Sequence, residues 1–154
     1  MMRKTTFLSS LLVVSLFLSC TNNSDTEPLN SATLKNISSE SVMSLALSDQ
    51  NIDLSTADLH QIQTDNAIGD STRNYELTKF KAAVYRFYKP LNIKNKSLHN
   101  PIKSGSEIGL SEDVFQFFNA GILQLNSEIS HLEDYSNDRL KADVEEQLAN
   151  LLKE

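Results

Sequence analysis

The chain has 154 residues, a formal net charge of −6 and one cysteine, with 40% hydrophobic and 22% charged residues. That length and balance suit one domain around one hydrophobic core. The acidity argues against nucleic acid as a bulk partner, and a lone cysteine excludes an intrachain disulfide and any Cys-based zinc cluster.

The N-terminus is laid out as a secretory signal: Arg3 and Lys4 are followed by an apolar run over 7–18, interrupted only by Ser9, Ser10 and Ser15. A transmembrane helix needs about 20 apolar residues to cross roughly 30 Å of hydrocarbon, so this run is too short to span. It ends in Phe17-Leu18-Ser19-Cys20, which resembles the lipobox of bacterial lipoproteins, with a small residue before the cysteine and Phe17 where leucine is usual. The resemblance implies cleavage after residue 19, diacylation of Cys20 and a place outside the cytoplasm. Several acyl chains on one residue make a stable anchor, at about 0.8 kcal/mol per buried CH₂. In lipoproteins of some Gram-negative bacteria, aspartate after the cysteine favours inner-membrane retention; Thr21 implies the outer membrane if the source is such a bacterium.

Residues 20–36 are Thr, Asn, Ser, Asp, Glu and Pro with few apolar positions, a composition expected to form a disordered tether. From 37 to 154 the expectation is an all-α domain, because the spacing turns helical and there are only four glycines and three prolines in the whole chain. A first short helix is expected over 39–47, with Val42, Leu45 and Ala46 inward. A second starts at Ser55 or Thr56 as N-cap and runs to 63 through Leu59 and Ile62. In the third, Leu77, Phe80, Val84, Phe87 and Leu91 recur at spacings of three and four, which keeps them on one side. Pro90 should end it near Lys89.

Residues 92–110, with Pro101, Gly105 and Gly109, read as a long loop. The fourth helix is the most regular. Phe115, Phe118, Ile122, Leu125, Ile129 and Leu132 continue the period for about 23 residues, or roughly 34 Å, with Ser111 as N-cap and Glu112 and Asp113 in its first turn. Gly121 within it would cost about 1 kcal/mol against alanine unless another helix packs closely there. Turn chemistry at 135–138 precedes a fifth helix through Leu140, Val144, Leu148, Leu151 and Leu152; a single bent helix over 112–153 is the alternative. The predicted architecture is a small antiparallel helical bundle of three long and two short helices.

Charge is segregated. Residues 73–106 carry Arg73, Lys79, Lys81, Arg86, Lys89, Lys94, Lys96 and Lys103 against Glu76 alone, while 107–154 and 21–72 are acidic. On a helical wheel Tyr75, Lys79, Arg86 and Lys89 fall away from the Phe80 seam, an expected outward cationic strip that continues into Lys94, Lys96 and Lys103. One reading is that it pairs with the acidic helices of the same bundle, at about 0–1 kcal/mol per surface pair. The other is that it meets an anionic envelope partner: lipid head groups, cell-wall carboxylates or an acidic protein.

Glu128 and His131 have the Glu-x-x-His spacing of di-iron bundles, but there is no second pair, so no metal is expected. His60 and His99 lie in unrelated segments. Phe117 and Leu123 flank the fourth helix's seam and would mark a contact site only if both were exposed. No nucleophile elbow, phosphate loop or zinc-protease motif occurs, so neither an enzyme nor a cofactor is expected. The sequence thus points to a lipid-anchored, non-catalytic envelope protein, a binding or structural module. The alternative is a surface inhibitor or immunity-type protein whose acidic C-terminal helices mimic a polyanion.

Overall fold

A computed structural model describes residues 38–59 and 70–152, excepting the side chains of 70–73. The expected signal segment, Cys20, the expected tether, and His60, Ile62 and Gln63 of the second expected helix lie outside the described residues. Along the chain run α1 (Ser39–Leu47), a helical turn at 56–59, α2 (Asp70–Tyr88), β1 (Asn92–Lys94), β2 (Ser97–His99), a 3₁₀ turn (Gly105–Ile108), α3 (Glu112–Ser130) and α4 (Asn137–Leu151). The protein is mostly helical.

Helix α1 has the expected bounds and buries Val42 and Ala46 against α2. Ser55 caps the turn at 56–59: its Oγ accepts from the Asp58 amide at 3.2 Å, while Asp58 Oδ2 accepts from the Ser55 amide at 2.7 Å. This reciprocal bonding satisfies donors that a helix start otherwise leaves free. Leu59, the inward residue of that turn, is buried.

Helix α2 is the central element. Leu77, Phe80, Val84 and Phe87 are buried as their spacing requires, but so are Lys79, Lys81, Ala82, Ala83 and Tyr88. Burial all round marks a helix with neighbours on several sides. One side meets α1 and another α4, and the Phe87 ring lies 5.7 Å from Phe115 and 5.1 Å from Phe118 of α3.

Lys81, 2% exposed, has its pKa lowered by burial, which disfavours the ammonium. The folded chain therefore releases this proton at a lower pH than the unfolded chain. The resulting destabilisation is full below the folded pKa and is relieved as pH rises through it toward the unfolded value. Lys81→Met should remove that rise in stability between neutral pH and about 10, which urea titrations of both proteins at several pH values would measure. Equal pH slopes would contradict it.

The segment expected to be a plain loop contains an antiparallel hairpin, so the domain is not purely α. Ile93 pairs with Leu98, and Asn95 and Lys96 form the two-residue turn, both with positive φ, 53° and 60°. That backbone matches the twist of a tight hairpin. Two asparagines from distant helices pin it. Asn126 of α3 accepts from the Leu98 amide at 2.8 Å and donates to the Leu98 carbonyl at 2.9 Å, while Asn137 Oδ1 of α4 accepts from the Lys96 amide at 2.7 Å.

Helix α3 runs unbroken through the buried Gly121, and Val114, Phe115, Phe118, Ile122, Leu125 and Ile129 are buried along it. It stops at Ser130, short of the expected length, and Leu132 is exposed rather than part of the seam. Ser111 stands at its N-cap position, but its hydroxyl donates to the Leu54 carbonyl at 2.8 Å instead of capping α3. Asp113 reaches the other way and accepts from the Thr56 amide at 3.0 Å, capping the turn at 56–59. The chain breaks between α3 and α4, where Tyr135 is buried and donates to Asp143. The single bent helix is thereby excluded. Ser136 caps α4 by accepting from the Arg139 amide at 3.2 Å, and Leu140, Val144 and Leu148 face inward.

Candidate functional site

The cationic strip does not form one outward surface. Its two central residues are turned into the protein. Lys79 is 8% exposed; its ammonium donates to the Asp53 carbonyl at 2.6 Å, pairs with Glu76 Oε2 at 2.7 Å and lies 5.1 Å from the centre of the Tyr75 ring.

Arg86 is held more completely. Its Nε donates to the Ala46 carbonyl at 3.0 Å. One terminal nitrogen donates to Gln50 O at 2.8 Å and Ile108 O at 3.1 Å, and the other to Leu45 O at 2.7 Å and Ser48 O at 2.5 Å. A planar guanidinium can distribute its donors in this way, which a single ammonium cannot. Burial lowers its pKa, and Asp49 opposes that by its charge. The position also explains how α1 ends. Its last turn contains no basic residue, and terminal helix carbonyls favour a cation; α2 supplies one from across the interface.

Both sequence readings of these two residues are thus corrected. Neither points outward, and their partners are mainly backbone carbonyls rather than the acidic helices. The cause is the placement of α1 and residues 48–54 over the α2 face that the helical wheel left for solvent. Gly109 completes the enclosure: its φ is 65°, and a Cβ there would come within 2.5 Å of the Arg86 guanidinium.

What remains of the basic segment lies at one end of α2 and beyond it. Lys89, Lys94, Lys96 and Lys103 are exposed. Lys96 has a local partner, the Glu133 carbonyl, 3.3 Å from its ammonium. Tyr75 is exposed, alongside Lys79 but one end of α2 away from the remaining lysines. The structure therefore joins Tyr75 to Lys79 and leaves Lys89, Lys94 and Lys103 each exposed to solvent, apart from that pair.

The acidic half faces water. Glu133, Asp134, Asp138, Glu145 and Glu146 are all exposed. At the start of α3, Glu112 has a lowered pKa because it accepts from the Gln116 side chain and then the Gly105 amide.

Glu128 accepts from Gln124 Nε2 at 3.1 Å, and His131 is the exposed C-cap of α3. Among the described residues no three His, Cys, Asp or Glu side chains gather as a metal site. His99 is exposed, its ring nitrogen 3.3 Å from the Lys94 carbonyl. Leu123 is 72% exposed, but Phe117 packs against the core beside Phe118, so the two do not form an exposed pair. No helix among the described residues is long and apolar enough to cross a membrane.

No protein-family model matches the chain, and neither a curated protein nor a solved structure is significantly similar to it.

Proposed function

We propose that the chain is a lipid-anchored, non-catalytic protein of the cell envelope, a binding or structural module built as a small antiparallel helical bundle. The observation that carries this reading is Cys20, the sole cysteine, placed directly after a short apolar run and Ser19. By the same resemblance the anchor belongs in the outer membrane of a Gram-negative source. Mass spectrometry of the envelope-derived protein should find residue 20 as a lipid-modified N-terminus. Cys20→Ala should move the protein from the membrane pellet to the soluble fraction. An unmodified Cys20, or a variant that stays in the pellet, would remove the anchor from the reading.

Its contact surface for an anionic envelope component is the exposed group Lys89, Lys94 and Lys103, with Lys96 beside it. Tyr75, Lys79 and Arg86 drop out of that surface because Lys79 and Arg86 are occupied inside the fold. Reversing Lys89, Lys94 and Lys103 to glutamate in the full chain should abolish capture of such a partner from solubilised envelopes while leaving the thermal midpoint within a few degrees. Unchanged capture would refute the assignment.

A second reading has its own support. The exposed acids of 133–146 are the face that a surface inhibitor or immunity-type protein mimicking a polyanion would present, although Lys79 and Arg86 are not buried against them. Capture that survives the lysine reversal but is lost on changing Asp138, Glu145 and Glu146 to lysine would select it.

A further inference from the structure

Helices α1 and α2 and residues 50–53 flank an open groove of about 680 Å³, large enough for a small molecule. Its one cation is already committed, since Lys79 is held by the Asp53 carbonyl, the Glu76 carboxylate and the Tyr75 ring. The remaining lining is mixed: Leu45, Ile52 and Tyr75 give apolar surface and the other side chains are polar. Among the described residues, the carboxylates of Glu40 and Asp53, the hydroxyl of Ser44 and the amide of Asn51 line the groove without a hydrogen bond to another side chain or to the backbone. Beside them stands Tyr75, 63% exposed.

These solvated groups select a ligand by the hydrogen bonds they can offer it in place of water. An apolar ligand would meet Leu45, Ile52 and the Tyr75 ring but would strip water from four polar side chains without replacing their hydrogen bonds. Two carboxylates repel an anion, and an added cation would meet the Lys79 ammonium already seated against the ring. A neutral polyhydroxylated molecule has neither fault. Carboxylates take strong hydrogen bonds from hydroxyls, an amide and a serine both donate and accept, and an aromatic ring offers a flat apolar surface to C–H groups.

We propose that the groove between α1 and α2 is a saccharide-binding site, in which a neutral sugar ring lies against Tyr75 and its hydroxyls bond to Glu40, Asp53 and Asn51. This goes beyond the anchored-module reading and does not depend on Cys20 or on the exposed lysines.

The test is a titration of the ¹⁵N-labelled full chain, in a zwitterionic detergent, with chitotriose, maltotriose and galactotriose in turn. At least one should cause saturable amide shifts concentrated in 40–53 and 75–79. Tyr75→Ala and Asp53→Asn should each weaken it by about tenfold or more, and Tyr75→Phe should retain it. Ser127→Ala, at an exposed position on α3, should leave it unchanged. Both groove positions are exposed, so the fold should survive, as unshifted resonances elsewhere would show. The proposal is overturned if no trisaccharide gives saturable shifts up to about 20 mM, where millimolar binding is readily seen. Binding that survives Tyr75→Ala, or spermine binding in the groove more tightly than every sugar, would overturn it equally.

Discussion

Replacing Arg86 with alanine is expected to lower the unfolding free energy by about 3 kcal/mol, roughly 10 °C in thermal midpoint for a domain of this size. The side chain is only half-buried, so water would repair part of the loss. Yet it serves the carbonyls of Leu45, Ala46, Ser48, Gln50 and Ile108 at once, and the variant leaves several of them short of a donor inside the α1–α2 interface. Arg86→Lys should recover less than half, because one ammonium cannot reproduce the spread of the fork. Urea unfolding followed by circular dichroism measures both changes. A loss below about 1 kcal/mol for the alanine variant would mean that water satisfies those carbonyls as well as arginine does.

The parts of this fold legible in the sequence are those governed by one helix at a time. The three- and four-residue spacing through Leu77, Phe80, Val84 and Phe87, through Phe115 to Ile129, and through Leu140, Val144 and Leu148 located three buried seams that the structure retains. The inward turn of Arg86 depends instead on what covers the other face of α2, which no single-helix periodicity contains. A weaker signal was present at α1, whose end has neither a glycine nor a basic residue, so its C-terminal carbonyls were open to a cation from elsewhere.

The hairpin was hidden for a different reason. Its turn places Lys96 at a positive φ without the Asn-Gly pair that usually announces one. Its strands have three residues each, and the bonds that hold it come from Asn126 and Asn137, far along the chain. The early end of α3 is similar. Leu132 continues the apolar period, but burial of Tyr135 with its bond to Asp143 turns the chain before the period can be used. As for the candidate site, sequence located the positive segment correctly. It could not separate cations that close the structure, Lys79 and Arg86, from those left facing water, because both kinds share the same spacing.

Phe87→Ala should cost more than any polar substitution, about 4 kcal/mol. The ring has no exposed surface and is the meeting point of the aromatic cluster, with centroids 5.2 Å from Tyr88, 5.7 Å from Phe115 and 5.1 Å from Phe118. Its removal leaves a cavity between α2 and α3 that neighbouring aromatic rings can only partly fill. Phe87→Leu should cost about half as much, since it restores volume but not the edge-to-face geometry. Leu123→Ala, at an exposed site on α3, should change stability by less than about 0.5 kcal/mol. Hydrogen exchange separates this effect from that of Arg86. Loss of Phe87 weakens the contact between α2 and α3, so protection should fall in both helices together and in α1 with them, because α1 packs on α2. Loss of Arg86 should release α1 first and leave α2 and α3 protected. If the Phe87 variant instead lost protection only in α1, the aromatic cluster could not be the unit on which the rest of the fold depends.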